Sequence, residues 1–149
     1  MYEYVTLIKK KGGKTLVIRN LKHEDNNDLQ GLFRQLTNEI HFDIHQCTNK
    51  KNLVCLVLED EKIIGFGSLI IYHIPTKGLV GRLEDIVIDN QRRGEGLGEK
   101  LVCQLIEIAK KKKLSFIELT SNSQRTAARS LYEKLGFKPK ETGLYRKQL

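Results

Sequence analysis

The residues best suited to chemistry lie in Leu83-Glu84-Asp85-Ile86-Val87-Ile88-Asp89-Asn90-Gln91-Arg92-Arg93-Gly94-Glu95-Gly96-Leu97-Gly98. An apolar strand-like stretch runs into a loop with glycines at alternate positions, and a helical pattern follows at once. That order collects backbone N–H groups at a helix N-terminus, which suits a phosphate. Glycine permits positive φ and close approach of a ligand. Arg92 and Arg93 add positive charge, and Glu84 and Asp85 just upstream are candidates for proton transfer. A dinucleotide fingerprint requires glycine three residues after Gly96, where Glu99 stands. A Walker A loop requires lysine directly after its last glycine, and Gly98 is followed by Glu99. Both patterns fail.

The elements around the loop follow from periodicity. Leu97, Leu101, Leu105 and Ile108 form an apolar stripe at helical spacing, widened by Val102 and Ala109. Tyr2 to Lys10 and Lys14 to Asn20 are strand-like and joined across Gly12-Gly13, a hairpin signal. Glu24 to Leu36 puts Leu29, Leu32, Phe33 and Leu36 on one helical face. Thr37 to Asn52 is polar and weakly periodic, so it is expected to be irregular or briefly helical. Leu53 to Glu59 and Lys62 to Tyr72 predict two strands around Asp60-Glu61, and Val80 to Asp89 a third. Phe116 to Thr120 predicts a short strand. Ser123 is expected to cap a helix running through Leu135, with Ala128, Leu131 and Leu135 inward and Gly136 at its C′ position. Leu144 to Gln148 predicts a final strand. The sum is a mixed α/β (α+β) domain.

The 149 residues suit one domain, 1–149. A hydrophobic fraction of 40% and a charged fraction of 30% fit a soluble globular chain. The longest apolar run, Ile63 to Ile74, falls short of the ~20 residues that span a bilayer, so no membrane association is expected. Met1 to Lys14 lacks the apolar core of a signal peptide, and the expected location is cytoplasmic. Cys47, Cys55 and Cys103 are odd in number and widely spaced, which argues against a disulfide framework. The net charge of +8 favours anionic ligands. The lysines are scattered without interleaved aromatic residues, so no nucleic-acid partner is expected. His41, His45 and Cys47 lack a matching fourth ligand, and no metal is expected.

Gln91-Arg92-Arg93-Gly94-Glu95-Gly96 matches Q/R-x-x-G-x-G/A, and here the chain resembles the GNAT acetyltransferase superfamily. A second stretch, Leu119 to Phe137, resembles that family's later motif and ends in Tyr132-x-x-x-Gly136-Phe137. The resemblance is strong over about Arg82 to Phe137. It implies a single-domain fold with a central mixed, mostly antiparallel, splayed sheet flanked by helices, and acetyl-CoA as co-substrate. It implies that backbone groups from Arg93 through Gly94, Glu95, Gly96 and Leu97 to Gly98 hold the coenzyme A pyrophosphate. Ile86, Val87 and Ile88 would pair with the pantetheine arm, and a bulge would splay their strand from the Phe116 strand. An N–H near Val87 or Ile88 would then polarise the thioester carbonyl.

Read by itself, Tyr132 is a half-buried helix tyrosine with a structural hydrogen bond; the resemblance makes it the acid beside the leaving sulfur. For the base, Glu84 is the first choice, directly or through water, and Asp85 the alternative. The competing role for Glu84 is an ion pair with Arg82, two residues earlier on the same face. Many relatives carry asparagine where Arg125 stands. Asn122 is then the residue available for the pantetheine amide, and Arg125 for an anionic substrate or cofactor phosphate.

The expected reaction is direct acetyl transfer, in a ternary complex, to a primary amine of a small molecule. The Glu84-Asp85-Ile86-Val87 strand looks like glucosamine-6-phosphate N-acetyltransferases. Thr120-Ser121-Asn122 and Arg125 look more like small bacterial acetyltransferases of unassigned substrate. A protein or peptide acceptor, an acyl-CoA-binding sensor without activity, and a homodimer formed through the sheet edge or the C-terminal strand are the remaining readings.

Overall fold

Alternating and continuous apolar runs become strands where a neighbour takes up their backbone groups. β1 (Val5–Lys9), β2 (Thr15–Asn20), β3 (Leu53–Asp60), β4 (Lys62–Ile74) and β5 (Gly78–Ile88) follow one another as antiparallel neighbours. β6 (Ile117–Glu118) adds in parallel at the far edge of this six-stranded sheet. The computed structural model describes residues 3–9, 13, 15–48 and 50–149, which fall into two units, Met1–Leu119 and Thr120–Leu149. Gly12 of the expected first turn lies outside the described residues; Gly13 has φ +85°.

In the first unit α1 (Asn26–Phe33) and the single turn α2 (Ile44–Cys47) cover one face of the sheet. Leu29, Leu32, Phe33 and Ile44 bury against Cys55, Val57, Phe66 and Val87. α3 (Leu97–Lys111) packs on β4 and β5 from the other face. A methyl group placed on Gly67 would meet Leu101 and Leu105 at 3.3 Å, whereas its neighbour Phe66 belongs to the α1 cluster. Adjacent strand residues point to opposite faces, so the two helix layers sandwich the sheet. The expected α3 stripe is the buried face: Leu97, Leu101, Val102, Leu105, Ile108 and Ala109.

The helix expected from Glu24 begins later. His23–Asp25 forms a tight 3-10 turn, because the Asp25 carboxylate turns back to accept the Lys22 N–H at 2.8 Å. Arg19 on β2 donates to both Asp25 oxygens at 2.8 Å, and to Glu59 on β3 at 2.8 Å. Burial opposes ionisation of Asp25, yet Arg19 and the Lys22 N–H outweigh it and hold the carboxyl below its ordinary range. A carboxyl lowered on folding adds stability above its unfolded pKa, and this is lost as pH falls through the folded value. Asp25→Asn is expected to cost about 2 kcal/mol at neutral pH, because it removes the charged bidentate partner of the shielded Arg19 and leaves Glu59 as its remaining carboxylate. It should also flatten the acid-side loss of stability below about pH 4, as read by urea denaturation across pH.

In the second unit α4 spans Thr126–Lys134, with Gly136 at φ +89° just beyond its end, as expected. Ser123 does not cap it. The Asn122 side chain accepts the Gln124 N–H at 2.9 Å and its carbonyl accepts the Arg125 N–H at 3.0 Å, so residues 122–125 form a turn and the helix starts after Arg125. The strand expected at Leu144–Gln148 is also absent: residues 138–149 carry no helix or strand. Leu144 is 65% and Tyr145 95% exposed, so neither the burial nor the paired neighbour that stabilises a strand is supplied.

Candidate functional site

β5 carries the expected bulge. Phe66 of β4 faces Val87 and Ser68 faces Glu84, so β5 accommodates one extra residue between these pairs. Asp85 sits there with φ +54°, a left-handed conformation that asparagine and aspartate tolerate best among residues with side chains. The bulge breaks the alternation that would otherwise send Glu84 and Asp85 to opposite faces. The β5–β6 ladder consists only of Gly81 with Ile117 and Arg82 with Glu118. Among the described residues no strand continues it alongside Leu83–Ile88. The parting of this strand from β6 is therefore present, and β6 is shorter than Phe116–Thr120.

The two carboxylates differ. Glu84 is held by the Arg82 Nε–H, the competing role considered for it. Arg82 lies between Glu84 and Glu118, and Glu118 accepts the Tyr72 hydroxyl at 3.0 Å. Asp85 is exposed at its surface, yet loss of solvation at the bulge raises its carboxyl above the ordinary range, and the neighbouring Glu84 charge adds to this. Val87 is buried among the α1 cluster, while Ile86 projects to the α3 side, where its Cδ1 approaches Gly67.

The loop is built as a cradle. Asn90–Arg92 makes a 3-10 turn capped by Asp89, whose Oδ1 accepts the Gln91 N–H at 3.1 Å. Gln35 at the end of the α1 region accepts the Asn90 N–H at 2.9 Å. Gly94 and Gly96 have φ of +82° and +72°, and a Cβ on either would meet nothing within 4 Å, so open space lies in front of them. Gly98 instead lies inside the first turn of α3 and does not take a positive φ. Gly96 is the N-cap of α3 and no side chain caps the helix. The Leu97 and Gly98 N–H groups, in the first turn of α3, have no partner within the helix. Arg93 is exposed, with a long 3.5 Å contact from Nε–H to the Ile88 carbonyl. Arg92 is not available in the same way: its guanidinium is taken up by Asp60 and Glu95.

An acetyltransferase (GNAT) family model matches residues 18–137. The chain belongs to that family. The glucosamine 6-phosphate N-acetyltransferase of Trypanosoma brucei brucei is 39% identical over 82 residues, which is 54% of this chain and 54% of that protein. The chain spans about half the length of the curated relatives it matches. The crystal structure of a Trypanosoma brucei acetyltransferase aligns with a TM-score of 0.78 at 29% identity, covering 89% of this chain and 99% of that one. A glucosamine-6-phosphate N-acetyltransferase from Arabidopsis thaliana aligns with a TM-score of 0.77 at 26% identity, over 90% and 99%. The family and fold read from the glycine loop and the Tyr132 motif are borne out. The remaining motif residues of this GNAT chain lie in the second unit. Tyr132 is buried there, 8% exposed, with its ring edge-on to Phe137. Burial pushes its phenol up, while Arg125 pulls the other way. The Ser121 hydroxyl is buried with no hydrogen-bond partner among the described residues.

Among the described residues no group of three or more His, Cys, Asp and Glu side chains could hold a metal ion. The His45 ring instead lies against that of His23, tilted at 43° with centroids 4.7 Å apart. Among the described residues no helix is long and apolar enough to cross a membrane. Sequence reasoning missed Asp60, Tyr72 and Glu118. Each acquires its partner from a distant part of the chain, and no local spacing signals that.

Proposed function

We propose that this GNAT chain acts as one domain, an acetyl-CoA-dependent N-acetyltransferase that transfers directly to a primary amine of a small molecule. The observation that carries the reading is the bulged, partly unpaired β5 running straight into a glycine cradle at an uncapped helix N-terminus. A pyrophosphate fits that cradle: the N–H groups of Leu97 and Gly98 face no side-chain cap, and the helix dipole favours an anion there. Arg93 supplies a charged donor beside Gly94, Glu95 and Gly96. The free edge of Ile86, Val87 and Ile88 offers strand-like hydrogen bonds to an amide-bearing arm, and an N–H near Val87 or Ile88 suits the thioester carbonyl. Acetyl-CoA would supply the acyl group as a thioester.

Because Glu84 is engaged by Arg82, Asp85 is the better base for the acceptor ammonium, its proton affinity raised by loss of solvation and, to a smaller extent, by the Glu84 charge. Tyr132 is carried over from its motif position as the acid for the departing thiolate. Asn122 is carried over for the pantetheine amide, and the unpartnered Ser121 hydroxyl beside it supports a ligand contact in this stretch. The relatives' printed names make glucosamine 6-phosphate the first acceptor to test. The free thiols of Cys47, Cys55 and Cys103 support a reducing, cytoplasmic setting.

Acetyl-CoA at a hundred times its Kd should stabilise the fold by about 2.7 kcal/mol, seen as a rise in Tm. An amine panel with thiol-release detection, glucosamine 6-phosphate included, should then identify the acceptor. A protein that gains no Tm from acetyl-CoA and releases no thiol with any amine would rule the reading out.

A further inference from the structure

We infer that Arg92 and Asp60 form a clamp that holds the glycine loop in its ligand-ready shape, so that both are positioning residues rather than phosphate ligands. The inference rests on the pyrophosphate reading of this loop. Arg92 donates from Nε and Nη2 to the two Glu95 oxygens at 2.7 and 3.1 Å, and from Nη1 to Asp60 Oδ2 at 2.8 Å. The Glu95 pair closes across Gly94 within the loop. The Asp60 bond ties the loop to the end of β3, 32 positions away in sequence. Asp60 is well shielded, with its side chain 11% exposed, and Arg92 is 22% exposed. Nε, Nη1 and Nη2 of Arg92 all donate to carboxylates of the protein itself, so the guanidinium is committed to shaping the loop.

The need for a clamp follows from the sequence. Gly94, Gly96 and Gly98 remove Cβ atoms so that a ligand can approach, and glycine has more conformational freedom to lose on ordering than any other residue. An unrestrained loop would have to be ordered at the moment of binding, which weakens affinity. A planar guanidinium with a two-bond fork to Glu95 and a third bond to the sheet fixes the loop beforehand, and lysine could not reproduce that geometry.

The test uses the full chain with acetyl-CoA as probe, by calorimetry for Kd and by steady-state kinetics for KM and kcat. Asp60→Asn should raise Kd and KM for acetyl-CoA about tenfold, with kcat within about twofold, because the lost contact shapes the loop and not the reacting atoms. Asp60→Glu, which keeps the charge, should recover part of the loss. Asp60→Asn and Arg92→Gln should be non-additive in the double variant. Glu95→Gln, on the exposed loop, should weaken binding without lowering Tm, which separates the clamp from a general folding defect. If Arg92 were itself a phosphate ligand, Asp60→Asn would remove a repelling charge, leaving affinity unchanged or tighter; that result overturns the clamp. Absence of acetyl-CoA binding in the unmodified protein would instead overturn the pyrophosphate reading beneath it.

Discussion

Asp85→Asn is expected to lower kcat for acetyl transfer about a hundredfold or more, the usual contribution of a positioned general base. Asparagine is the substitution of choice, because it accepts the left-handed φ of +54° at this position and keeps the bulge. The fold should not suffer. A carboxyl whose pKa is raised on folding binds its proton more tightly in the native state, so its ionised form costs stability as pH rises through the window above the unfolded value. Asp85→Asn should therefore leave Tm at neutral pH equal or slightly higher while activity falls. The same raised carboxyl places the acid limb of the kcat profile above the ordinary carboxylate range, with activity lost as pH falls through it. Glu84→Gln removes the neighbouring charge that helps raise Asp85, so the limb should move to lower pH. A Glu84→Gln enzyme that loses as much kcat as Asp85→Asn, with no movement of the limb, would return the base role to Glu84.

Gly96→Val is expected to abolish measurable binding of acetyl-CoA, a loss of about a hundredfold or more if three or more kcal/mol of backbone contacts are displaced. Two effects combine. A β-branched residue at φ +72° forces the N-cap of α3 out of the left-handed region, at about 1–2 kcal/mol. Its side chain also stands in the open space in front of the loop. Gly96→Asn separates them. Asparagine tolerates the conformation, and a Cβ there meets no protein atom within 4 Å, so the fold should keep its Tm. Calorimetry should still show weakened acetyl-CoA binding by Gly96→Asn, because the ligand approaches that space. Full binding by both variants would place the phosphates elsewhere.

The contrast between Arg92 and Arg93 measures what could be read in advance. Adjacent arginines before a glycine loop carry the same local signal, and both were expected to face phosphate. The structure commits Arg92 to Asp60 and leaves Arg93 on the surface. Glu84 shows the reverse case: its pairing with Arg82 was legible, since residues two apart on a strand share a face. The two expectations that failed in the second unit have a common cause. Ser123 and Leu144–Gln148 carried adequate local propensity, but the Asn122 turn took up the backbone ahead of α4, and residues 144–148 found no burial.

By itself the chain determined most of its elements, its family and the glycine loop ahead of α3. These depend on short-range properties: the stripe of Leu97, Leu101, Leu105 and Ile108, and the glycines that most readily take positive φ at 94 and 96. Only the tertiary structure decided where Asp85 would lie and which carboxylate would be tied. The bulge arises from the register of β5 against β4, and Glu59 for Arg19, Asp60 for Arg92 and Glu118 for Tyr72 come from strands far away in sequence. Conformational preference acts over a few residues and can be read from them. Register and ion pairing are settled by packing across the sheet, where many sequences with the same local pattern could have chosen otherwise.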